Sequence, residues 1–186
     1  MSQENVELVR QPITVRAHTR RRLEERLALR LPRASALVNR AAFGLPPRSR
    51  LRQRFIRRFL QLAVEAYNRR DFEVAFTLFH PEVEFETPSR LQGLGLDAIY
   101  RGREACIRFE QRWIAEWGDF QVKPEEFIDL GGRVLLLGRL KGSGPSSGVA
   151  IDNKWADLVT VFAGRVIRRQ IFLDHAEGLE AAGLSE

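Results

Sequence analysis

The sequence has very few of the residues from which disulfide frameworks and metal sites are built. Cys106 is the single cysteine among 186 residues, so one chain can form neither a disulfide framework nor a cluster of thiolate ligands. The three histidines, His18, His80 and His175, lie far apart in the sequence and show no metal-ligand spacing. We therefore expect neither a metal nor an organic cofactor.

Long apolar segments are also lacking. No segment approaches the roughly 18 consecutive apolar residues that a membrane-spanning helix needs, and the opening MSQENVELVR has no apolar segment of the kind found in secretory signals. A single cysteine fits a reducing compartment, so we expect a cytoplasmic protein. A chain of 186 residues predicts one domain plus an extension.

What the sequence does contain is an uneven distribution of charge. The formal net charge is +6, yet residues 10–58 hold 15 arginines against Glu24 and Glu25, a net charge of +13. Residues 59–186 carry a net charge of −5. The high isoelectric point therefore belongs to one segment, and an interaction with phosphates can be assigned only to that segment.

The basic segment predicts a helical extension over residues 1–48. Leu23, Leu27 and Leu31 recur at helical spacing in its first helix, and Gly44 suits the end of a second one. Three roles remain open for this extension. It packs on the domain or on a partner subunit, it lies on an anionic membrane surface, or it contacts nucleic acid phosphates.

Residues 49–186 predict one domain of mixed architecture. A long amphipathic helix over about 50–69 is followed by a second helix that ends at Pro81, a strand over 83–87 and a third helix. Four strands and a short closing helix follow, with the strands at about 120–129, 133–142, 149–162 and 165–173. This order predicts an α+β fold in which one strongly curved antiparallel sheet wraps around helices.

Three segments of this domain resemble a known family: VEAYNRRDFEVAFTLFHPEVEFETP, YRGREACIRF and VFAGRVIRRQIFLDHAEGLEAAGLSE. They resemble the SnoaL-like proteins of the nuclear transport factor two-like superfamily, over about residues 59–186. The resemblance implies a cone with an apolar cavity for one small molecule. Relatives include ketosteroid isomerases, polyketide cyclases, dehydratases and epoxide hydrolases, and others only bind or dimerise, so the fold alone leaves catalysis open.

The last hairpin predicts which residues face this cavity. If Ala163–Gly164 is a two-residue turn, Phe162 pairs with Arg165, and an unbroken register then places like-facing residues opposite each other. The predicted cavity face consists of Asn153, Trp155, Asp157, Gln170, Phe172 and Asp174. The other face, expected to pack against other surfaces such as a second subunit, consists of Leu158, Thr160, Ile167, Ile171 and Leu173. A slip of one residue would reverse the face of each partner.

Asp157 is the candidate catalytic residue. Burial in an apolar cavity raises the pKa of a carboxyl, which can then donate a hydrogen bond or transfer a proton. In the resemblance, Asp157 falls at the oxyanion-hole aspartic acid of ketosteroid isomerases, but Thr87 and Ala63 occupy the positions of their base and tyrosine. We therefore do not expect steroid isomerisation, and the arginine and paired aspartates of epoxide hydrolases are not evident as a set. Asp157 is alternatively a structural acid, paired with Arg139 or Gln170.

The expected binding site combines aromatic walls with orienting polar groups. Its candidates are Trp155, Phe172, Phe85 and Trp113 as walls, Gln170 and Tyr67 as orienting groups, and Arg139 as a partner of the acid. Two functions fit these residues. One is binding of a small apolar carbonyl or hydroxyl compound, with acid/base turnover of the isomerase, cyclase or dehydratase type left open. The other is a non-catalytic dimerisation module with a cationic arm, and in both cases we expect a homodimer.

Overall fold

The computed structural model describes residues 9–15, 17–92, 96–117, 119–144 and 150–184. The helices within these ranges are α1 (Leu23–Arg30), α2 (Pro32–Phe43), α3 (Arg50–Asn68), α4 (Phe72–Ala75), α5 (Ser89–Gln92), α6 (Arg103–Ala115) and α7 (His175–Ala181). The strands are β1 (Val9–Pro12), β2 (Phe79–Glu86), β3 (Ile99–Arg101), β4 (Gln121–Asp129), β5 (Arg133–Ser143), β6 (Ala150–Phe162) and β7 (Arg165–Phe172).

The strands form one mixed sheet in the order β1-β4-β5-β6-β7-β2-β3. Strands β4 to β7 make an antiparallel meander, and β2 runs parallel to β7. The inner face of the sheet packs on α3, α4 and α6 in the main core, and the outer face packs on α7 in a second, smaller core. The α+β cone architecture predicted from the sequence is thereby confirmed, but the sheet is mixed and not antiparallel throughout, because β2 runs parallel to β7.

The second helix of the domain, predicted to continue to Pro81, is shorter than expected. Helix α4 ends at Ala75, and β2 already begins at Phe79, which pairs with Val166 of β7. Pro81 lies inside this strand, in the stretch where the pairing of β2 with β7 is interrupted. A proline at such an irregularity costs no ladder hydrogen bond, so Pro81 does not mark the end of a helix as the sequence suggested.

The predicted register of the last hairpin is also wrong. Ala163 and Gly164 form the expected two-residue turn, both with positive φ, and Phe162 pairs with Arg165. A bulge then shifts the pairing, so that Asp157 lies opposite Ile171 and Leu158 lies opposite Gln170. An extra residue in one strand reverses the faces of everything beyond it.

The N-terminal extension packs on the cone, which is the first of its three predicted roles. Strand β1 pairs with β4 and forms one edge of the sheet, a strand that the sequence analysis did not predict. Helix α2 contacts α3, and helix α1 contacts α4. Ion pairs join the two parts at Arg22–Glu65, at Arg69–Glu25 and at Arg21–Asp71. No helix in the described ranges is both long and apolar enough to span a bilayer.

Candidate functional site

Asp157 lies on the inner face of β6, where it is 8% exposed. It lines a cavity of about 80 Å³ between the sheet and helices α3 and α4. The remaining lining is mostly apolar and consists of Phe59, Leu60, Ala63, Val64, Tyr67, Ala75, Phe76, Phe79, Val122, Leu136, Trp155, Val159, Val166 and Arg169. A carboxylate in such surroundings needs a partner, because burial removes its hydration.

The partner of Asp157 is Arg169 of β7, a residue that the sequence analysis did not select. Its Nε donates to Asp157 Oδ2 at 2.8 Å, and its guanidinium lies over the rings of Phe85 and Phe76 at 5.1 and 5.7 Å from their centroids. The bulge in β7 explains the omission. An unbroken register places Arg169 on the outer face, whereas the observed register turns it inward.

Glu110 of α6 and Tyr67 of α3 complete a buried network around Arg169. Arg169 Nη1 donates to Glu110 Oε1 at 2.6 Å, and the Tyr67 hydroxyl donates to Glu110 Oε2, also at 2.6 Å. Both oxygens of Glu110 therefore accept a hydrogen bond. Glu110 was also missed, although its position gave a signal, since it lies within the apolar stripe of Cys106, Phe109 and Trp113 on α6.

The network contains two carboxyl groups but a single guanidinium. Burial raises the pKa of Asp157 above its ordinary value, Arg169 opposes this shift, and Glu110 adds to it. Burial disfavours the charged form of Arg169, yet Asp157 and Glu110 together raise its pKa above the ordinary value. Burial and the neighbouring Glu110 also raise the pKa of Tyr67. The arrangement favours a charged guanidinium at Arg169 and a carboxyl at Asp157 that retains its proton more readily than an exposed one.

Asp157 has one oxygen without a partner. Its Oδ1 is buried and makes no hydrogen bond to any described residue, while Oδ2 accepts from Arg169. An unsatisfied buried oxygen costs about 1–3 kcal/mol. A ligand donor that reaches the ionised oxygen, or a ligand acceptor that reaches the protonated one, would remove that cost.

A second, smaller cavity lies on the other side of the network. Its volume is about 30 Å³, and it shares Tyr67, Val122, Trp155 and Arg169 with the first. Its other walls are Phe85, Pro88, Leu91, Phe109, Glu110, Trp113, Phe120, Leu140, Ile171 and Leu173. Arg169 therefore separates two apolar spaces, with Asp157 at the larger and Glu110 at the smaller.

The structure brings together five of the candidate site residues from the sequence. Asp157, Trp155 and Tyr67 line the larger cavity, and Phe85 and Trp113 line the smaller one with Trp155 and Tyr67. Tyr67 does not point a free hydroxyl at a ligand, because that hydroxyl is bound to Glu110. Its role is to hold Glu110 in place.

The other three candidates lie elsewhere. Gln170 and Phe172 are opposite Leu158 and Ala156, on the outer face of the sheet, because of the bulge. Gln170 donates to Glu86, and Phe172 packs on the outer core beside α7. Arg139 binds Asp152 at the surface and does not reach Asp157. These three residues are therefore removed from the candidate site.

The predicted face assignments change accordingly. Ile171 and Leu173 belong to the inner core and line the smaller cavity. Leu158 does lie on the outer face, where it belongs to the core that α7 completes within the same chain. Asp174 caps α7, since its Oδ1 accepts from the backbone N–H of Ala176 at 2.9 Å. The described ranges contain no group of three His, Cys, Asp or Glu residues that could hold a metal ion.

A family model described as the SnoaL-like domain matches residues 56–169, which is more than half of the chain. The chain belongs to the SnoaL-like family. The matched range begins before Tyr67 and ends at Arg169, so all four residues of the buried network are part of the SnoaL-like domain. Helices α1 and α2 lie outside it. None of the curated proteins matches the chain.

Solved structures share the fold of this SnoaL-like domain at low sequence identity. An NTF2-like protein of unknown function from Burkholderia pseudomallei is 23% identical, with a TM-score of 0.58 over 66% of this chain and 93% of that one. TerC, crystallised with polyporic acid, is 21% identical, with a TM-score of 0.57 over 68% and 96%. A hypothetical protein from Catenulispora acidiphila with a ketosteroid isomerase-like fold, in complex with trimethylamine, is 16% identical, with a TM-score of 0.54 over 68% and 93%.

Proposed function

We propose that the protein binds a compact, mostly apolar molecule carrying a carbonyl or hydroxyl oxygen, and that Asp157 donates a hydrogen bond or a proton to that oxygen. The observation that carries this proposal is the unpartnered Oδ1 of a buried acid that lines an apolar cavity. A few polar groups with unused hydrogen-bonding capacity usually orient a small ligand in an apolar cavity.

The cavity limits the size of the ligand. Sites for drug-sized molecules occupy roughly 300–1,000 Å³, whereas the space beside Asp157 measures about 80 Å³. A ligand of a few heavy atoms fits without rearrangement. Two of the three proteins of this fold named above contain a small molecule, trimethylamine in one and polyporic acid in the other, so ligand binding is compatible with the fold over a range of sizes.

The chemistry that the site supports is proton transfer at one position. Arg169 holds Asp157 through Oδ2, and Tyr67 holds Glu110, which leaves Asp157 Oδ1 as the group that can act on a ligand. A protonated Asp157 donates to the ligand oxygen and stabilises negative charge that develops there. After losing its proton, the same carboxylate accepts one, which is the cycle that an isomerase or a dehydratase requires.

Mass spectrometry of the native protein, purified from its own host, tests this proposal. We expect a small molecule retained by the wild type and lost in Asp157→Asn, with the exposed Asp152→Asn on the same strand as a control that keeps it. Retention by both variants would contradict the role of Asp157.

A non-catalytic module remains the second candidate function, because the small volume and the aromatic walls of both cavities also suit a closed scaffold. This alternative predicts no retained ligand in any of the three proteins. It also predicts no increase in the melting temperature of the wild type with any member of a panel of small ketones and alcohols.

A further inference from the structure

The outer surface of α1 and α2 exposes large apolar side chains. Leu23, Leu27, Leu31, Leu37 and Val38 are 71%, 47%, 56%, 64% and 57% exposed. Single exposed leucines are common on proteins and need no explanation. Five such side chains within residues 23–38 are an unusual concentration, and exposed apolar surface of this kind marks interaction sites.

The leucines face outward because the inner side of α1 is ionic. Glu25 is buried and accepts from Arg69 at 2.7 Å, and Arg22, at the beginning of the helix, pairs with Glu65 of α3. A helix on the surface of a globular protein normally turns its apolar stripe inward and its charges outward. Helix α1 instead buries Glu25 and exposes Leu23 and Leu27, so these leucines can contact an apolar phase outside the protein.

Arginines surround this apolar stripe. Arg26, Arg30, Arg33 and Arg40 are exposed on the same two helices, and their side chains pair with no acidic side chain among the described residues. The exposed acid on α1, Glu24, is neutralised by Arg58 at 2.7 Å. The surface is therefore positively charged as well as apolar.

The start of α3 repeats this combination. Leu51 is 67% exposed and lies at a cleft of about 680 Å³ whose charged lining residues are all arginines: Arg48, Arg50, Arg54 and Arg57. A concave basic surface suits the anionic headgroup of a lipid, and an exposed leucine beside it suits the acyl chains below the headgroups.

We propose that α1 and α2 dock this protein on membranes that contain anionic lipids. The leucines would enter the boundary between headgroups and acyl chains, and the arginines would contact lipid phosphates, as in other basic amphipathic helices at bilayer surfaces. A second copy of the chain fits less well, because a symmetric contact would bring the same arginines together. Nucleic acid accounts for the arginines but gives the exposed leucines no partner.

Sedimentation with vesicles tests this proposal on the full chain. We expect binding to vesicles of phosphatidylcholine with about 30 mol % phosphatidylglycerol at about 0.1 M NaCl, little binding to phosphatidylcholine alone, and weaker binding at higher salt. Leu23→Ser with Leu27→Ser should weaken binding at least about tenfold, since these side chains supply the apolar contact. Both positions are exposed, and an unchanged melting temperature verifies that the variant is folded.

Two matched double variants test whether vesicle binding depends on the arginines of α1 or only on the net charge of the protein. Arg26→Gln with Arg30→Gln should weaken vesicle binding about 25-fold, from about 1 kcal/mol for each arginine near an anionic surface. Arg108→Gln with Arg112→Gln removes the same charge at the same spacing from the exposed side of α6. We expect less than about a threefold effect for that pair.

Four results would overturn the proposal. The first is absence of binding to anionic vesicles, and the second is equal weakening by the two arginine pairs. The third is stronger retention on duplex DNA than on vesicles at the same salt, lost in the arginine variant but kept in the leucine variant. The fourth is a dimer in sedimentation equilibrium that the leucine variant dissociates without any change in vesicle binding.

Discussion

At the scale of single residues, two neighbouring arginines on β7 show how burial changes the contribution of an ion pair to the free energy of unfolding. Arg169 is buried between Asp157 and Glu110, whereas the side chain of Arg168 is half exposed beside Glu86. Removing one side chain from a buried group of ion pairs leaves the remaining charges unpaired, which costs about 3–5 kcal/mol of stability. An exposed pair contributes about 1 kcal/mol or less.

We therefore predict that Arg169→Met lowers the free energy of unfolding by at least about 3 kcal/mol, because two buried acids lose their shared cation. Arg168→Met serves as the control and should cost less than about 1 kcal/mol. Urea denaturation at neutral pH measures both. Similar losses in the two variants would show that Arg169 does not hold the network together.

The raised pKa of Asp157 predicts a pH dependence of stability. Burial favours the protonated carboxyl, so the contribution of Asp157 is fully present below its unfolded pKa of about 4 and is lost as the pH rises through the folded pKa. The free energy of unfolding of the wild type, minus that of Asp157→Asn, should fall as the pH rises above the unfolded pKa of about 4.

Asp152 provides a control of opposite sign on the same strand. Its hydrogen bonds to Lys141 and Arg139 lower its pKa, so its contribution is present above the unfolded pKa and is lost as the pH falls. The wild type should gain stability relative to Asp152→Asn as the pH rises through the acidic range towards the unfolded pKa of about 4. Urea denaturation across the pH range gives both differences, and parallel curves for wild type and Asp157→Asn would contradict the assignment.

Asp157 also shows how far the sequence alone leads to the site. An acid between apolar neighbours in a strand predicts a buried carboxyl, and the resemblance predicts a cavity beside it. Its partner was not predictable, because a bulge in β7 turns Arg169 inward and Gln170 outward. The local sequence RVIRRQIF carries no glycine or other residue that marks the bulge. One extra residue in a ladder was therefore enough to misplace two of the candidate ligand contacts.

At the scale of elements, the contact between α2 and the β6–β7 turn fixes the extension to the hairpin that carries the site. Asn39 of α2 is buried and donates to the carbonyl of Gly164 at 2.8 Å. A Cβ added to Gly164 would lie 2.0 Å from the carbonyl oxygen of Ala36. The sequence predicted both elements from their own patterns but not this contact, because the local sequence of a turn does not indicate which distant element will pack against it.

We predict that Gly164→Ala destabilises the protein by at least about 2 kcal/mol more than Gly131→Ala does. Both glycines have a positive φ, +78° and +80°, so the backbone cost of an alanine is similar at the two sites. A Cβ at Gly131 meets nothing within 4 Å. The difference in the free energy of unfolding therefore measures the close packing of α2 on the turn, and equal losses would show that this packing is loose.

At the scale of the whole molecule, ion pairs between the basic segment and the acidic domain offset part of the charge segregation of the sequence. The arginines of the extension meet acids of the cone at Arg21–Asp71 and Arg22–Glu65, and Arg52 of α3 is buried against Asp129 of β4. Arg52 also donates to the carbonyls of Phe43 and Leu45, at the end of α2 and just beyond it. The two segments that composition separates into a basic extension and an acidic domain are thus electrostatic partners.

This interdependence predicts that the chain unfolds as one unit. Strand β1 forms an edge of the sheet. Deletion of residues 1–48 would leave the buried Glu65 without Arg22, and would leave Arg69 with Asp71 at 3.4 Å in place of Glu25 at 2.7 Å. We expect a single calorimetric transition for the full chain, and a melting temperature at least about 10 °C lower after the deletion, because orphaned buried charges are costly.

Leu23→Ser with Leu27→Ser changes only exposed residues of the same segment and should leave the melting temperature within about 2 °C. Two separate transitions in the full chain, or a deletion that leaves the melting temperature unchanged, would mean that the extension is an independent arm carried by a self-sufficient cone.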